Sequence, residues 1–215
     1  MTTSSYEQNC PIAYGLDLIG DRWTLLILRD LSFAPQRFTD LRTSLVGIPP
    51  NVLSQRLKRL VADGIVAIEE LPPPAARNVY ALTERGRDIV PVLQSLVRFG
   101  LPAMPPGAPD ATMRRGPVVA TMFLSWFDLA EATLADTDEH YDVVIDGKTS
   151  HLSARHGRAV RDPDGAAAVT VSGPGWAMIR WRQGVALADL VAAGELEVTG
   201  SKAAQDRFRR LYALP

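Results

Sequence analysis

Apolar side chains recur at helical spacing through the first hundred residues, and in shorter alternating runs through much of the remainder. Pro11–Ile19 predicts a first short helix with Ile12, Leu16 and Ile19 on one face. Asp21 is placed to cap a second helix, Arg22–Leu31, that turns Trp23, Leu26 and Ile27 to a core. Arg37-Phe38 reads as a short strand, and Thr39 as the cap of a helix over Asp40–Leu45. After the turn Val46-Gly47-Ile48 a further helix starts at Pro50, where the missing proline N–H costs little. Leu53, Leu57 and Leu60 then follow the i, i+4, i+7 spacing of one buried stripe, and Gly64 ends the helix. The alternating segments Ile65–Leu71 and Asn78–Leu82 flank the turn PPPAAR as a hairpin. Thr83 is placed to cap a long helix, Glu84–Phe99, bearing Ile89, Val92, Leu93, Leu96 and Val97.

The helix from Pro50 carries the candidate chemistry. Asn51, Gln55, Lys58 and Arg59 fall on the side of the wheel away from the leucine stripe. Such side chains bond to adenine and guanine edges and to phosphates. A helix, a glycine stop and a hairpin tipped by Arg77 form the layout of a winged helix-turn-helix. That reading adds Thr39, Arg42 and Ser54, so the expected DNA contacts are Thr39, Arg42, Asn51, Ser54, Gln55, Lys58, Arg59 and Arg77. The net charge of −1 seems wrong for this function until it is read locally. Residues 41–62 hold Arg42, Arg56, Lys58 and Arg59 and no acid, and DNA affinity follows local phosphate neutralisation.

A stiff, poorly helical stretch, GLPAMPPGAPDATMRRGP, occupies residues 100–117 and has five prolines and three glycines. It predicts a domain over 1–100, a linker over 101–116 and a second domain over 117–215. Past the linker, Pro117–Ala135 reads as an amphipathic helix carrying Val118, Met122, Trp126 and Leu129. Strand-like runs follow at Tyr141–Asp146, Thr149–His156 and Ala167–Ser172. Helices at Trp176–Arg182 and Ala186–Ala192, a strand at Glu195–Thr199 and a Ser201-capped helix over Lys202–Tyr212 close the chain. The whole is therefore expected to be α+β: a winged helix-turn-helix followed by a sheet-and-helix domain.

Two resemblances sharpen this. CPIAYGLDLIGDRWTLLILRDLSF, RFTDLRTSLVGIPPNVLSQRLKRLVADGIV, the hairpin and ALTERGRDIVPVL together resemble the HxlR family of bacterial transcription regulators over residues 9–100. The resemblance implies a winged-helix homodimer on operator DNA. The helix Glu84–Phe99 is itself too apolar for a purely solvated surface, and it reads either as packing on its own domain or, the favoured reading, as a seam against the first helix of a partner subunit. A departure is the tip, where Pro72, Pro73 and Pro74 leave Arg77 as the one charge, so its contact with DNA is expected to be weaker. The tail VALADLVAAGELEVTGSKAAQDRFRRLYAL is similar to the end of the sterol-carrier-protein lipid-binding fold. That likeness spans about 115–215 and implies a sheet covered by helices around an apolar tunnel, and hence a hydrophobic small-molecule effector.

The remaining reactive residues are few. Cys10 is the one cysteine, which excludes an internal disulfide and a CxxC zinc site. A free cysteine is usually a small packed hydrophobe, but this one opens the first helix, where the dipole favours thiolate. The HxlR resemblance makes it a redox candidate, and a switch would need an intersubunit bond or a small-thiol adduct. His151 and His156, five apart on a strand, point to opposite faces, and with His140 they suggest no metal site. Trp126, Trp176, Met178 and Trp181 are candidates for lining a ligand pocket, against the plainer reading that they fill the core. No GxSxG, phosphate loop or paired carboxylate points to an enzyme, and no cofactor is expected. No apolar run reaches the ~18 residues of a membrane span, and MTTSSYEQNC lacks the regions of a signal peptide, which points to the cytoplasm. The rival readings are a redox-sensing repressor without ligand and a lipid carrier with vestigial DNA binding.

Overall fold

Leu53, Leu57 and Leu60 are almost fully buried at the centre of the first of two units. The computed structural model describes residues 5–70, 78–103, 139–155, 158–161 and 165–211. Contacts divide the chain into Met1–Leu93 and Gln94–Pro215, and each unit has its own core.

The first unit is a winged helix. Helices α1 (Pro11–Ile19), α2 (Thr24–Phe33), α3 (Phe38–Ser44) and α4 (Pro50–Ala62) precede the antiparallel strands β1 (Val66–Glu70) and β2 (Asn78–Leu82). Short α5 (Glu84–Arg87) follows, and then α6 (Ile89–Gly100), which begins in this unit and runs past its boundary at Leu93. Ile27, Leu28 and Leu31 of α2 and Leu41 of α3 pack with the α4 leucines around Ile48 and Val66.

Five expectations need correction. Helix α2 starts at Thr24, because Asp21 does not cap it with its side chain: its carbonyl accepts from Thr24 N–H at 3.2 Å and its carboxylate pairs with Arg56. The core face of α2 accordingly runs through Ile27, Leu28 and Leu31, leaving Leu26 exposed and Trp23 half-buried. Arg37-Phe38 is no strand. Gln36 alone bridges Tyr80, and Phe38 opens α3, since the Asp40 carboxylate accepts from Arg37 N–H at 3.2 Å and sets the start ahead of Thr39. The helix expected over Glu84–Phe99 breaks at Asp88 into α5 and α6. Pro91 has no N–H for the Arg87 carbonyl, so an unbroken helix would lose that bond, whereas the first turn of α6 tolerates it.

Among the described residues, the second unit is a five-stranded sheet with helices. Strands β3 (Glu139–Ile145), β4 (Lys148–Arg155), β5 (Arg158–Arg161), β6 (Val169–Gly173) and β7 (Glu197–Gly200) lie in the order β5-β4-β3-β6-β7. Only β3 and β6 pair in parallel among these neighbours, with Tyr141 opposite Val169. Helices α7 (Gly175–Arg182), α8 (Leu187–Ala192) and α9 (Lys202–Leu211) accompany it among the described residues. Alternation in β3 buries Tyr141, Val143 and Ile145 on one face. There Tyr141 meets Phe208 of α9 with ring centroids 5.1 Å apart. The start of α9 is capped as expected, Ser201 Oγ accepting from Ala204 N–H at 3.2 Å. Strand β5 has no signature in the sequence, because Arg-Ala-Val-Arg offers too few apolar positions to show alternation. The helix expected over residues 117–135, nearly all of the linker and the turn PPPAAR lie outside the described residues.

Candidate nucleic-acid interface

Helix α4 is held at both ends by its own sequence. Pro49 and Pro50 set its first turn, and the Pro49 carbonyl accepts from Leu53 N–H at 3.0 Å. At the other end Gly64 adopts φ 69°, a left-handed conformation that favours glycine. This lets Gly64 N–H reach the Val61 carbonyl at 3.1 Å and Ile65 N–H the Leu60 carbonyl at 3.0 Å, a doubly bonded helix stop. Ile65 and Leu60 are both buried, which fixes where the chain turns into the hairpin.

The side chains of α4 divide by angle. At ~100° per residue, the buried leucines cluster on one side and Asn51, Gln55, Lys58 and Ala62 share the opposite line. Those four are exposed, and among the described residues Asn51, Gln55 and Lys58 make no side-chain hydrogen bond or ion pair. Ser54 is half-buried on one flank. Arg59, expected beside Gln55 as a DNA contact, instead turns along the other flank. Its Nη2 donates to the Asp17 carbonyl at 2.6 Å, and its Nε lies 3.5 Å from the Asp63 carboxylate. Arg56 Nη1 pairs with the Asp21 carboxylate at 2.7 Å. Two of the three cations in α4 therefore face protein groups, which a helical wheel cannot reveal. Their partners Asp17 and Asp21, which lie outside α4, are equally invisible in this role on a wheel.

In α3, Thr39 and Arg42 are exposed; the Thr39 carbonyl accepts from Thr43 Oγ1 at 2.9 Å, and the residue sits within the first turn rather than at the cap. Buried Asp30 of α2 anchors α3. Its carboxylate accepts from Ser44 Oγ at 2.5 Å and Arg29 Nε at 2.7 Å, and its carbonyl from Gln36 Nε2 at 3.0 Å. The described part of the wing is acidic, with Glu69 and Glu70 exposed on β1; Arg77 lies outside the described residues.

Cys10 is half-buried at the N-cap of α1, where its carbonyl accepts from Tyr14 N–H at 3.1 Å. In the second unit Met178 and Trp181 are wholly buried, and Trp176 is half-buried with the Arg180 guanidinium 6.0 Å from its ring centroid. The structure thus brings Met178 and Trp181 into one core, while Trp126 lies outside the described residues. His151 Nδ1 lies 2.7 Å from Asp142 Oδ1, the His140 ring nitrogen Nδ1 is buried without a partner among the described residues, and His156 is outside them.

Residues 18–107 match the HxlR-like helix-turn-helix family. An uncharacterised HTH-type transcriptional regulator of Halalkalibacterium halodurans is 35% identical over 95 residues, covering 44% of this chain and 84% of its own. The chain belongs to the HxlR-like helix-turn-helix family. YvaP of Bacillus subtilis, with the same description, is 31% identical over 94 residues, 43% of this chain and 87% of its own. A Mycobacterium tuberculosis regulator is 38% identical over 104 residues; the alignment covers 48% of this chain and 65% of that one, just under two thirds of its length. Among solved structures, the redox regulator HypR in its reduced form aligns with a TM-score of 0.40 and 30% identity, over 42% of this chain and 90% of that chain. No helix among the described residues is long and apolar enough to cross a membrane.

Proposed function

We propose that this HxlR-family chain is a cytoplasmic transcription regulator that binds double-stranded operator DNA as a homodimer. The observation that carries the reading is the exposed line of Asn51, Gln55 and Lys58 on α4, opposite its buried leucines. Asn51 and Gln55 suit bidentate contact with adenine edges, and Lys58 suits phosphate. Thr39 and Arg42 of α3, with Ser54, supply flanking backbone contacts, and Arg77 a contact from the wing tip. Glu69 and Glu70, at the end of β1 next to the turn, oppose phosphate contact there, which favours α3 and α4 for more of the binding. The relatives' shared description as HTH-type transcriptional regulators supports the same reading. Exposed apolar residues at helical spacing on α1 and α6 supply the dimer seam.

The second unit serves as an effector or support domain. Its helix-flanked sheet supports the sterol-carrier-like reading, with a hydrophobic effector seated near Trp176, Met178 and Trp181. Regulation through Cys10 is the alternative; its support is the thiol's place at the start of α1.

The test starts with selection of bound genomic fragments, followed by titration of wild type, Gln55→Ala and Lys58→Ala with operator and random duplexes across a salt series. Gln55→Ala is expected to cost about 1–3 kcal/mol on the operator and to relax preference at one base pair. Lys58→Ala is expected to weaken binding to both duplexes and flatten the salt slope by about one unit. Variants that bind both duplexes as wild type does would move recognition to another element.

A further inference from the structure

Asp17 is held from two directions. Its carboxylate accepts from Ser5 Oγ at 2.9 Å and from Tyr6 N–H at 3.1 Å. Its main-chain carbonyl, one of the last four of α1, accepts from Arg59 Nη2 at 2.6 Å. Carbonyls at a helix end lack an intrahelical donor and carry partial negative charge, so a guanidinium is a fitting partner. Arg56, one turn before Arg59, pairs with Asp21 just past the end of α1. The N-terminal arm, α1 and α4 thus meet at one short stretch of chain.

We propose that Arg59 is a positioning residue for operator recognition, fixing the roll of α4 through the Asp17 carbonyl while Ser5 and Tyr6 brace Asp17. The proposal rests on α4 being the helix that enters the groove. Its physical basis is the difference between apolar and polar restraints. The buried leucine stripe resists any large roll of α4, which would expose it, but apolar burial is non-directional and restrains a roll of a few degrees only weakly. A charge-assisted hydrogen bond on the flank is directional and resists that rotation. A small roll of α4 would carry the short Asn51 and Gln55 side chains off the base edges, while the long, flexible Lys58 side chain still reaches a phosphate.

This separates Arg59 from a phosphate contact. Full-length wild type, Arg59→Gln, Arg59→Lys and Asp17→Ala would be titrated with operator and with random duplex across a salt series, after thermal unfolding confirms that each variant folds. Arg59→Gln is expected to lose about 5- to 100-fold in operator affinity, the scale of a lost base contact, while its random-duplex affinity and salt slope stay those of wild type. Arg59→Lys keeps the charge but not the two-sided guanidinium, and is expected to lose operator affinity in the same manner. Asp17→Ala keeps the carbonyl and frees the arm, for a smaller loss of about two- to tenfold on the operator alone.

A flatter salt slope in Arg59→Gln, with weaker random binding, would make Arg59 a phosphate contact and overturn the proposal. Should Arg59→Gln not fold, Arg59→Lys and Asp17→Ala decide: wild-type operator affinity in both would equally overturn it. Wild type without operator preference would overturn the α4 interface itself, a result distinct from either.

Discussion

The Thr83 hydroxyl accepts from Gly86 N–H at 2.9 Å and donates to the Gly64 carbonyl at 2.7 Å, joining the stop of α4 to the start of α5. Gly86 completes the arrangement by its lack of a side chain, since a Cβ there would sit 2.0 Å from the Ile65 carbonyl oxygen. Thr83→Ala is expected to cost about 1 kcal/mol, the usual worth of an N-cap. Gly86→Ala should cost more, because main chain has to move to relieve the overlap. Urea unfolding of the two variants beside Thr83→Ser, expected to be near wild type, measures the order. A Gly86→Ala protein as stable as wild type would mean that α5 backs away from Ile65 freely.

Asp30 ties α2 to α3 from a buried position through Ser44, and within α2 its carboxylate also pairs with its neighbour Arg29. Asp30→Ala is expected to destabilise the first unit by about 1–3 kcal/mol, the penalty for stranding buried polar partners. Because Ser44 closes α3, operator affinity should fall as well. Ser44→Ala removes one of these bonds and should show both effects at smaller size. Denaturant unfolding and operator titration of the same preparations test the pair together; a stability loss with unchanged DNA affinity would separate α3 from recognition.

The pH dependence of the second unit has a definite sign at Glu139. Arg207 of α9 grips this carboxylate with Nε at 3.0 Å and 3.1 Å from its two oxygens, and Tyr141 donates to it at 2.8 Å. The hydrogen bonds from Arg207 outweigh burial and hold its pKa below the ordinary 4.5. A depressed carboxylate contributes stability that is fully present above its unfolded pKa and is lost as pH falls through the folded value. Wild type should therefore exceed Glu139→Gln in stability near neutrality, and the gap should close only below pH 4.5. Unfolding of the second unit, followed at several pH values through buried Trp181, tests this. A gap that closes above that pH would reverse the sign.

What was legible in the sequence follows from how local each signal is. Pro50, the leucine stripe and Gly64 write α4 within fifteen residues, and the hairpin follows from alternation. The start of α3 was misplaced because Thr39 is a good cap by residue type, and only the Asp40 bond to Arg37 selects the earlier start. Arg59 lies ~40° from Gln55 on the wheel, so its capture by Asp17 across the fold is invisible without tertiary structure. In the second unit β3 and β6 were readable as strands, but their parallel pairing depends on residues far apart in sequence. No pattern within either strand encodes it.

The proposed seam rests on α6, where Val92, Leu96 and Phe99 follow i, i+4, i+7 spacing and remain 46%, 47% and 83% exposed. On α1, Ile12 and Leu16 are 73% and 43% exposed. Full burial of such a side chain is worth about 1.5–3 kcal/mol, so a few of them per subunit can hold a dimer once the cost of association is met. Leu96→Glu combined with Phe99→Glu places charge in that seam and should leave the circular dichroism spectrum unchanged. Sedimentation should then show monomers at concentrations where wild type is dimeric, and Ile12→Glu should act in the same direction. Operator binding supplies the second readout. Linked subunits meet the second half-site at an effective concentration of roughly millimolar, whereas separate monomers must each bind from solution. The double variant should therefore lose affinity for a two-half-site operator far more than for a single half-site. Equal losses on both would indicate damage to the reading surface, and a monomeric wild type would remove the seam from the mechanism.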